Sequence, residues 1–171
     1  CAGECGGSAV EDECGECDGD GSACAGVTQS IDLALGSTWI SLNVLADDMS
    51  VGSILNGTDA TYIKGQLDYS QYYGPGVGWF PSFDIDVTQT YKITSDSEST
   101  LVVTGTPVDV DSTPINVGFG WNWVSYLPQG SLDISTALVS VNGQASYIKG
   151  QLDYSNYYDS VGWFPVISLN P

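Results

Sequence analysis

Tyr62-Ile63-Lys64-Gly65-Gln66-Leu67-Asp68-Tyr69-Ser70 recurs without change as Tyr147 to Ser155. In both places a Tyr-Tyr pair follows, Tyr72-Tyr73 and Tyr157-Tyr158, and then Val-Gly-Trp-Phe-Pro, at Val77 to Pro81 and Val161 to Pro165. The likeness extends upstream. Gly36…Trp39-Ile40-Ser41 aligns with Gly120…Trp123-Val124-Ser125, and Ile31, Leu33 and Leu35 align with Ile115, Val117 and Phe119. The offset is 84 residues at both ends, from Ile31 to Ile115 and from Val77 to Val161. Nine consecutive identities do not arise by chance, so the chain is read as a tandem repeat.

Within one copy the apolar spacing predicts strands. Ile31, Leu33 and Leu35 alternate with polar residues, the period of a half-buried strand, and Trp39 to Val44 reads as a second. Val51, Ile54 and Leu55 follow helical spacing after Asp47-Asp48, and Leu132, Ile134, Ala137 and Leu138 do so after Ser131. One short helix per repeat is therefore expected. Tyr62 to Tyr69 reads as one strand, with Ile63, Leu67 and Tyr69 on one face and Lys64, Gln66 and Asp68 on the other. Gly74 to Gly76 makes a turn, replaced in the second copy by Asp159-Ser160. Phe83, Ile85 and Val87 alternate again, and Tyr91, Ile93 and Leu101-Val102-Val103 add two strands around a turn at Asp96 to Ser99.

The expected fold is mainly β: two β-sandwich-like repeats at 27–114 and 115–171, after a disulfide-stapled connector at 1–26. In the register of the first copy, the second would run to about position 198, and the counterpart of Thr88 to Pro114 is absent. The expectation is that missing strands come from a neighbouring subunit or a continuation of the chain, docking at the Ile167 and Leu169 edge. The chain begins at Cys1 without an initiator Met or signal peptide and reads as a mature or excerpted piece of a longer precursor.

Composition narrows the chemistry. Twenty-one acids stand against three lysines, with no histidine, for a formal charge of −18. A nucleic-acid binder needs cations to displace phosphate counterions. Triads built on histidine and imidazole metal sites are excluded. No apolar run approaches the ~20 residues of a membrane helix. Hydrophobic content of 42% excludes a disordered acidic tail.

The head is different in kind. Cys1, Cys5, Cys14, Cys17 and Cys24 all lie there with seven of the acids, among glycines and almost no apolar residues. Such a segment cannot bury a core, and disulfides are the expected staples. Zinc is the competing reading, since Cys14 and Cys17 form C-x-x-C. Five cysteines are odd, so one is expected to pair outside the segment. Asp18, Asp20 and Ser22 place oxygen ligands at alternate positions of a Gly-rich loop, which suits calcium, the alternative being a solvated acidic turn.

The stretch from Cys1 to Cys24 resembles the CxGxCGGxAxxDxCGxCxGDGxxC segments of secreted and surface proteins from marine microbes and algae. Gly120-Trp-Asn-Trp-Val-Ser125 and Gly162-Trp-Phe-Pro165 look like tandem β-repeats found beside such segments. The two resemblances cover nearly the whole chain. They imply an extracellular or cell-surface setting with stalk, fibre or adhesive roles, and no catalytic residues. The family pattern continues past Gly-Trp-Phe-Pro into a Pro-Gly-x-x-Tyr turn, where the first copy instead has Val87-Thr-Gln-Thr-Tyr91.

The leading functional expectation is a non-enzymatic structural subunit of an extracellular filament, appendage or surface layer, with itself as partner. Lys64, Gln66 and Asp68, with Lys149, Gln151 and Asp153, are the candidate assembly face, against the alternative of a solvated strand face. A carbohydrate-binding or adhesive module is the second reading, with Tyr72, Tyr73, Tyr157 and Tyr158 as glycan contacts beside turns. Trp39, Trp79, Trp121, Trp123 and Trp163 fit packing within or between repeats better than sugar stacking. Asn56-Gly57-Thr58 is the only N-glycosylation sequon. A glycosidase built on Asp68 and Asp153 is a weaker third.

Overall fold

The computed structural model describes residues 26–171. The disulfide, zinc and calcium expectations for Cys1 to Cys24, Asp18, Asp20 and Ser22 lie outside the described residues. The first copy runs β1 (Val27–Leu33), β2 (Gly36–Ile40), β3 (Val44–Leu45), α1 (Val51–Ile54), β4 (Ala60–Lys64), β5 (Tyr69–Tyr72), β6 (Trp79–Phe80), β7 (Tyr91–Ser95) and β8 (Ser99–Pro107). The second runs β9 (Leu132–Asp133), α2 (Ile134–Ala137), a 3₁₀ turn at Val139–Val141, β10 (Tyr147–Lys149), β11 (Tyr154–Tyr158), β12 (Gly162–Phe164) and β13 (Ser168–Leu169). The fold is mainly β, with one short α-helix in each copy. Among the described residues no helix is long and apolar enough to cross a membrane.

Two antiparallel sheets make the first copy, β1-β8-β3 and β2-β7-β4-β5-β6. Alternation sends Leu33, Leu101 and Val103 inward from one sheet and Ile40, Ile63, Tyr91 and Ile93 inward from the other, and all are buried. Ile63 and Ile93 face each other across β4 and β7 without solvent exposure, and each such side chain contributes about 1.5–3 kcal/mol by burial. β7 and β8 are consecutive yet lie in different sheets, so the turn between them carries the chain across the sandwich.

The second copy builds only part of this. β10-β11-β12 repeats β4-β5-β6, down to the stacked tyrosines: Tyr62 on Tyr69 at 6.3 Å and Tyr147 on Tyr154 at 6.1 Å. Its buried apolar side chains are Ile134 and Trp163, and Trp163 donates its ring N–H to Asn142 Oδ1 at 3.0 Å. The segment that opens this copy belongs physically to the first. Leu127 enters the first core, Asn43 Nδ2 donates to Pro128 O at 3.2 Å, and Gln129 Nε2 donates to Asn43 O at 2.7 Å.

Several local expectations are corrected. Tyr62 to Tyr69 is a hairpin: β4 and β5 pair from Lys64 and Tyr69 onward, and Gly65 N–H donates to Asp68 O at 2.8 Å to close the loop. Leu67 is 88% exposed at its tip. The alternation ran through the loop residues and so hid the turn. Ile115, Val117 and Phe119 form no strand, because β1 exists by pairing with β8 and no counterpart of β8 is present among the described residues. Trp123 to Ser125 forms a single bridge, Gln89 with Val124, and Phe83 to Val87 another, Ser50 with Asp84. Leu35, expected to be half-buried, is exposed. The helix caps are Ser50 and Asp133, two or three residues later than expected.

These caps give stability a pH dependence. The Ser50 backbone N–H, then its hydroxyl, holds the Asp48 carboxyl below its ordinary value, and the Thr136 hydroxyl and N–H do the same for Asp133. A carboxyl whose folded pKa is depressed contributes stability above its unfolded pKa and loses it as pH falls through the folded one. The urea midpoint is expected to be flat from about pH 7 to 5 and to fall below about pH 4. Asp133→Asn should remove part of that fall, and an unchanged acid limb would contradict the assignment.

A second prediction separates the copies. A Cβ on Gly65 would stand 2.9 Å from Tyr91 Cε1 in the ring's fixed place, whereas on Gly150 it would meet only the mobile Asp153 carboxylate. Gly65→Ala is expected to cost about 1–3 kcal/mol by overpacking and Gly150→Ala much less, measured by urea unfolding.

Candidate interface between the repeats

Each Gly-Gln-Leu-Asp loop projects its glutamine beyond the end of β4 or β10. A carboxamide carries a donor and an acceptor side by side, the set needed to imitate a neighbouring peptide group. Gln151 uses both on the first copy: its Oε1 accepts from Trp39 N–H at 2.7 Å and its Nε2 donates to Ser37 O at 2.9 Å. Gln66 does the same to the second copy, accepting from Trp123 N–H at 2.8 Å and donating to Trp121 O at 2.9 Å.

The geometry follows from strand periodicity. The carbonyl of one residue and the N–H two residues later point to the same side of an extended backbone, so one amide spans both. β2 is the outer strand of its five-stranded sheet, with β7 on one side. Gln151 therefore covers β2's other edge, which would otherwise offer unpaired backbone groups to any passing strand. Gly36 and Gly120, at the start of the two clasped segments, both hold φ near +95°, at +96° and +94°, a left-handed turn that glycine adopts without a Cβ penalty.

The two clasps exchange under a swap of repeats, the signature of an isologous contact. Between them Trp39 stacks on Trp123 with centroids 6.4 Å apart and planes at 16°. Lys149 Nζ sits 6.0 Å from the Trp39 ring centroid, on its face. A backbone seam adds to these: Thr90 N–H donates to Trp123 O at 3.4 Å, Ser125 N–H to Thr88 O at 3.2 Å, and Ser125 Oγ to Gln89 O at 2.6 Å.

Of the six residues expected on an assembly face, Gln66, Gln151 and Lys149 touch the other copy within this chain. Gln66 and Gln151 reach across from loops rather than from a strand face. Lys64 lies on the outer face of β4 directly opposite Lys92 of β7, while Lys149 turns to Trp39. Asp68 and Asp153 each close their own loop through the backbone carbonyl, Asp153 accepting from Gly150 N–H at 3.0 Å. An open groove of about 390 Å³ beside the Gln66 loop is lined by Thr88, Gln89, Asn116, Asn122 and apolar residues, and neither aspartate reaches it. Among the described residues no group of three or more acids or cysteines is placed to hold a metal.

Ile167 and Leu169, the expected docking edge, lie at β13, which pairs on one side with β9 of their own copy. Ile167 O accepts from Ile134 N–H at 3.0 Å and Leu169 pairs with Leu132, and among the described residues no strand pairs with the other edge of β13. Tyr72 and Tyr157 lean on Trp79 and Trp163, and Tyr72, Tyr73 and Tyr158 are exposed. Asn56 is exposed in the turn after α1. Sequence reasoning missed a second aromatic surface: Tyr69 and Phe80, with Tyr154 and Phe164 in the second copy, are all at least half exposed on the outward sheet faces. It also missed the targets of the clasp. The available signal was that identity between copies extends through loop residues that no core requires. No family model matches the chain, nor does any curated protein or solved structure.

Each clasp makes two hydrogen bonds at about 0.5–1.5 kcal/mol net apiece. Gln66→Ala and Gln151→Ala are each expected to lower stability by about 1–2 kcal/mol in urea unfolding, with a change in fluorescence from the Trp39–Trp123 pair. Gln66→Glu, which can accept but not donate, should recover little at neutral pH. Variants as stable as the parent would show that the clasps are incidental.

Proposed function

We propose that this chain is a non-enzymatic structural module of an extracellular filament, appendage or surface layer, built by repeats that lock onto one another. The observation that carries the reading is the reciprocal glutamine clasp. Two copies of one sequence recognise each other's backbone, which is what an assembling repeat must do, and the contact reads strand geometry more than side-chain identity. The charge of −18 fits a surface setting in which modules repel one another except where complementary contacts are built. The resemblance of the cysteine-rich head to surface-protein segments supports the same setting. Disulfides there, an exposed glycan at Asn56 and calcium on the Asp18 and Asp20 loop belong to this proposal.

A specific observation favours a second reading, an adhesive or carbohydrate-binding module. Tyr69 and Phe80, and again Tyr154 and Phe164, present exposed rings on an outward sheet face, a surface on which sugar rings can stack.

Electron microscopy of the unreduced protein distinguishes these readings. Fibres or sheets with a regular axial repeat are expected. Dispersed single particles that bind a glycan array would overturn the structural reading in favour of the adhesive one.

A further inference from the structure

The chain has three lysines against twenty-one acids, and the fold gathers all three around Trp39. Strand pairing sets Trp39 of β2 beside Lys92 of β7, Lys92 beside Lys64 of β4, and Lys64 beside Tyr69 of β5. Their sequence neighbours Ile40, Tyr91, Ile93, Ile63 and Ser70 are buried. The four side chains therefore share the outer face of the five-stranded sheet and form a row across it. All four are exposed. Lys149 joins them from the other copy, with Nζ 6.0 Å from the Trp39 ring centroid.

Three features set this row apart from an ordinary solvated face. Like charges directly opposite each other weaken a sheet, yet Lys64 and Lys92 stand opposite with Cβ atoms about 5 Å apart. The other outward positions of the sheet are Ser37, Thr94, Tyr62, Gln71 and Phe80, so no acid stands among them in a chain of charge −18. Aromatic rings close the row at both ends, and Tyr69 in turn stacks on Tyr62 at 6.3 Å. At the ordinary strand spacing the row runs about 14 Å from Trp39 to Tyr69.

We propose that this face binds an anionic polysaccharide. Its sugar rings stack on Trp39 and Tyr69, and its carboxylate or sulfate groups meet Lys64 and Lys92 between them, with Lys149 beyond Trp39. An aromatic ring offers a flat apolar surface to the C–H face of a sugar, and an ammonium offers a point charge with three donors to an anionic substituent. A span of about 14 Å exceeds a single inorganic anion and suits a chain of linked rings. A peptide is captured at a free strand edge or by an arginine cluster, whereas β4 and β7 are bonded on both sides and the chain has no arginine. The choice of a saccharide rests on the adhesive reading above and names its class; the cationic, aromatic face does not depend on it.

The test measures binding of the unreduced full chain to immobilised polygalacturonate and dextran sulfate, with neutral dextran and polyglutamate for comparison. Both acidic glycans are expected to bind, more weakly as salt is raised, and at least about tenfold more tightly than neutral dextran. Lys64→Gln combined with Lys92→Gln should lower that affinity by about tenfold without lowering the urea midpoint, since both side chains are exposed. Tyr69→Ala should lower it by about fivefold. Polyglutamate bound as tightly as the glycans, with no effect of Tyr69→Ala, would overturn the saccharide in favour of an acidic protein surface. Neutral glycans bound on an array, with the lysine variant unaffected, would overturn this proposal and leave the adhesive reading standing. Binding to no glycan of either kind would overturn both.

Discussion

An extended backbone has two edges, and both must be satisfied; the architecture of this chain follows from how each copy meets that demand. In the first copy β7 bonds to β2 and β4 together and brings Tyr91 and Ile93 into the space between the two sheets. β8 then joins β1 and β3 into the second sheet. These two strands explain why the first copy holds the main hydrophobic cluster and why Ile31 and Leu33 lie in a strand while Ile115 and Val117 do not. A strand is a property of a pair, and the same alternating sequence stays irregular where its partner is missing.

The glutamine clasp is a side-chain answer to the same demand. It ends a sheet without adding a strand, because one carboxamide satisfies a carbonyl and an N–H on the edge of β2. It also fixes the relation between copies, since the loop that supplies the amide belongs to the other repeat. Closing the edge and joining the repeats are accomplished by one interaction. The stacked Trp39 and Trp123 rings and the insertion of Leu127 into the first core make that relation a packed one, so the two copies are not beads on a string.

Reciprocity has a consequence for assembly. A contact that maps onto itself when the copies are exchanged is complete with two members and does not propagate. The outward aromatic faces, with Tyr69 and Phe80 and their counterparts, are exposed and take no part in it.

The sequence by itself determined the class of fold, the duplication, the presence of a short helix in each copy and the strands at Tyr91 and Leu101, because local alternation and exact repetition are visible without tertiary contacts. It singled out six polar residues, of which Gln66, Gln151 and Lys149 contact the other copy. It assigned them to a strand face, since Ile63, Leu67 and Tyr69 keep period two through a turn. Only the tertiary structure decided that Gly65 to Asp68 reverses the chain and that Gln66 and Gln151 grip the other copy. The grip depends on pairing between residues far apart in the chain, 112 apart for Trp39 and Gln151, and no local pattern encodes which edge meets which partner.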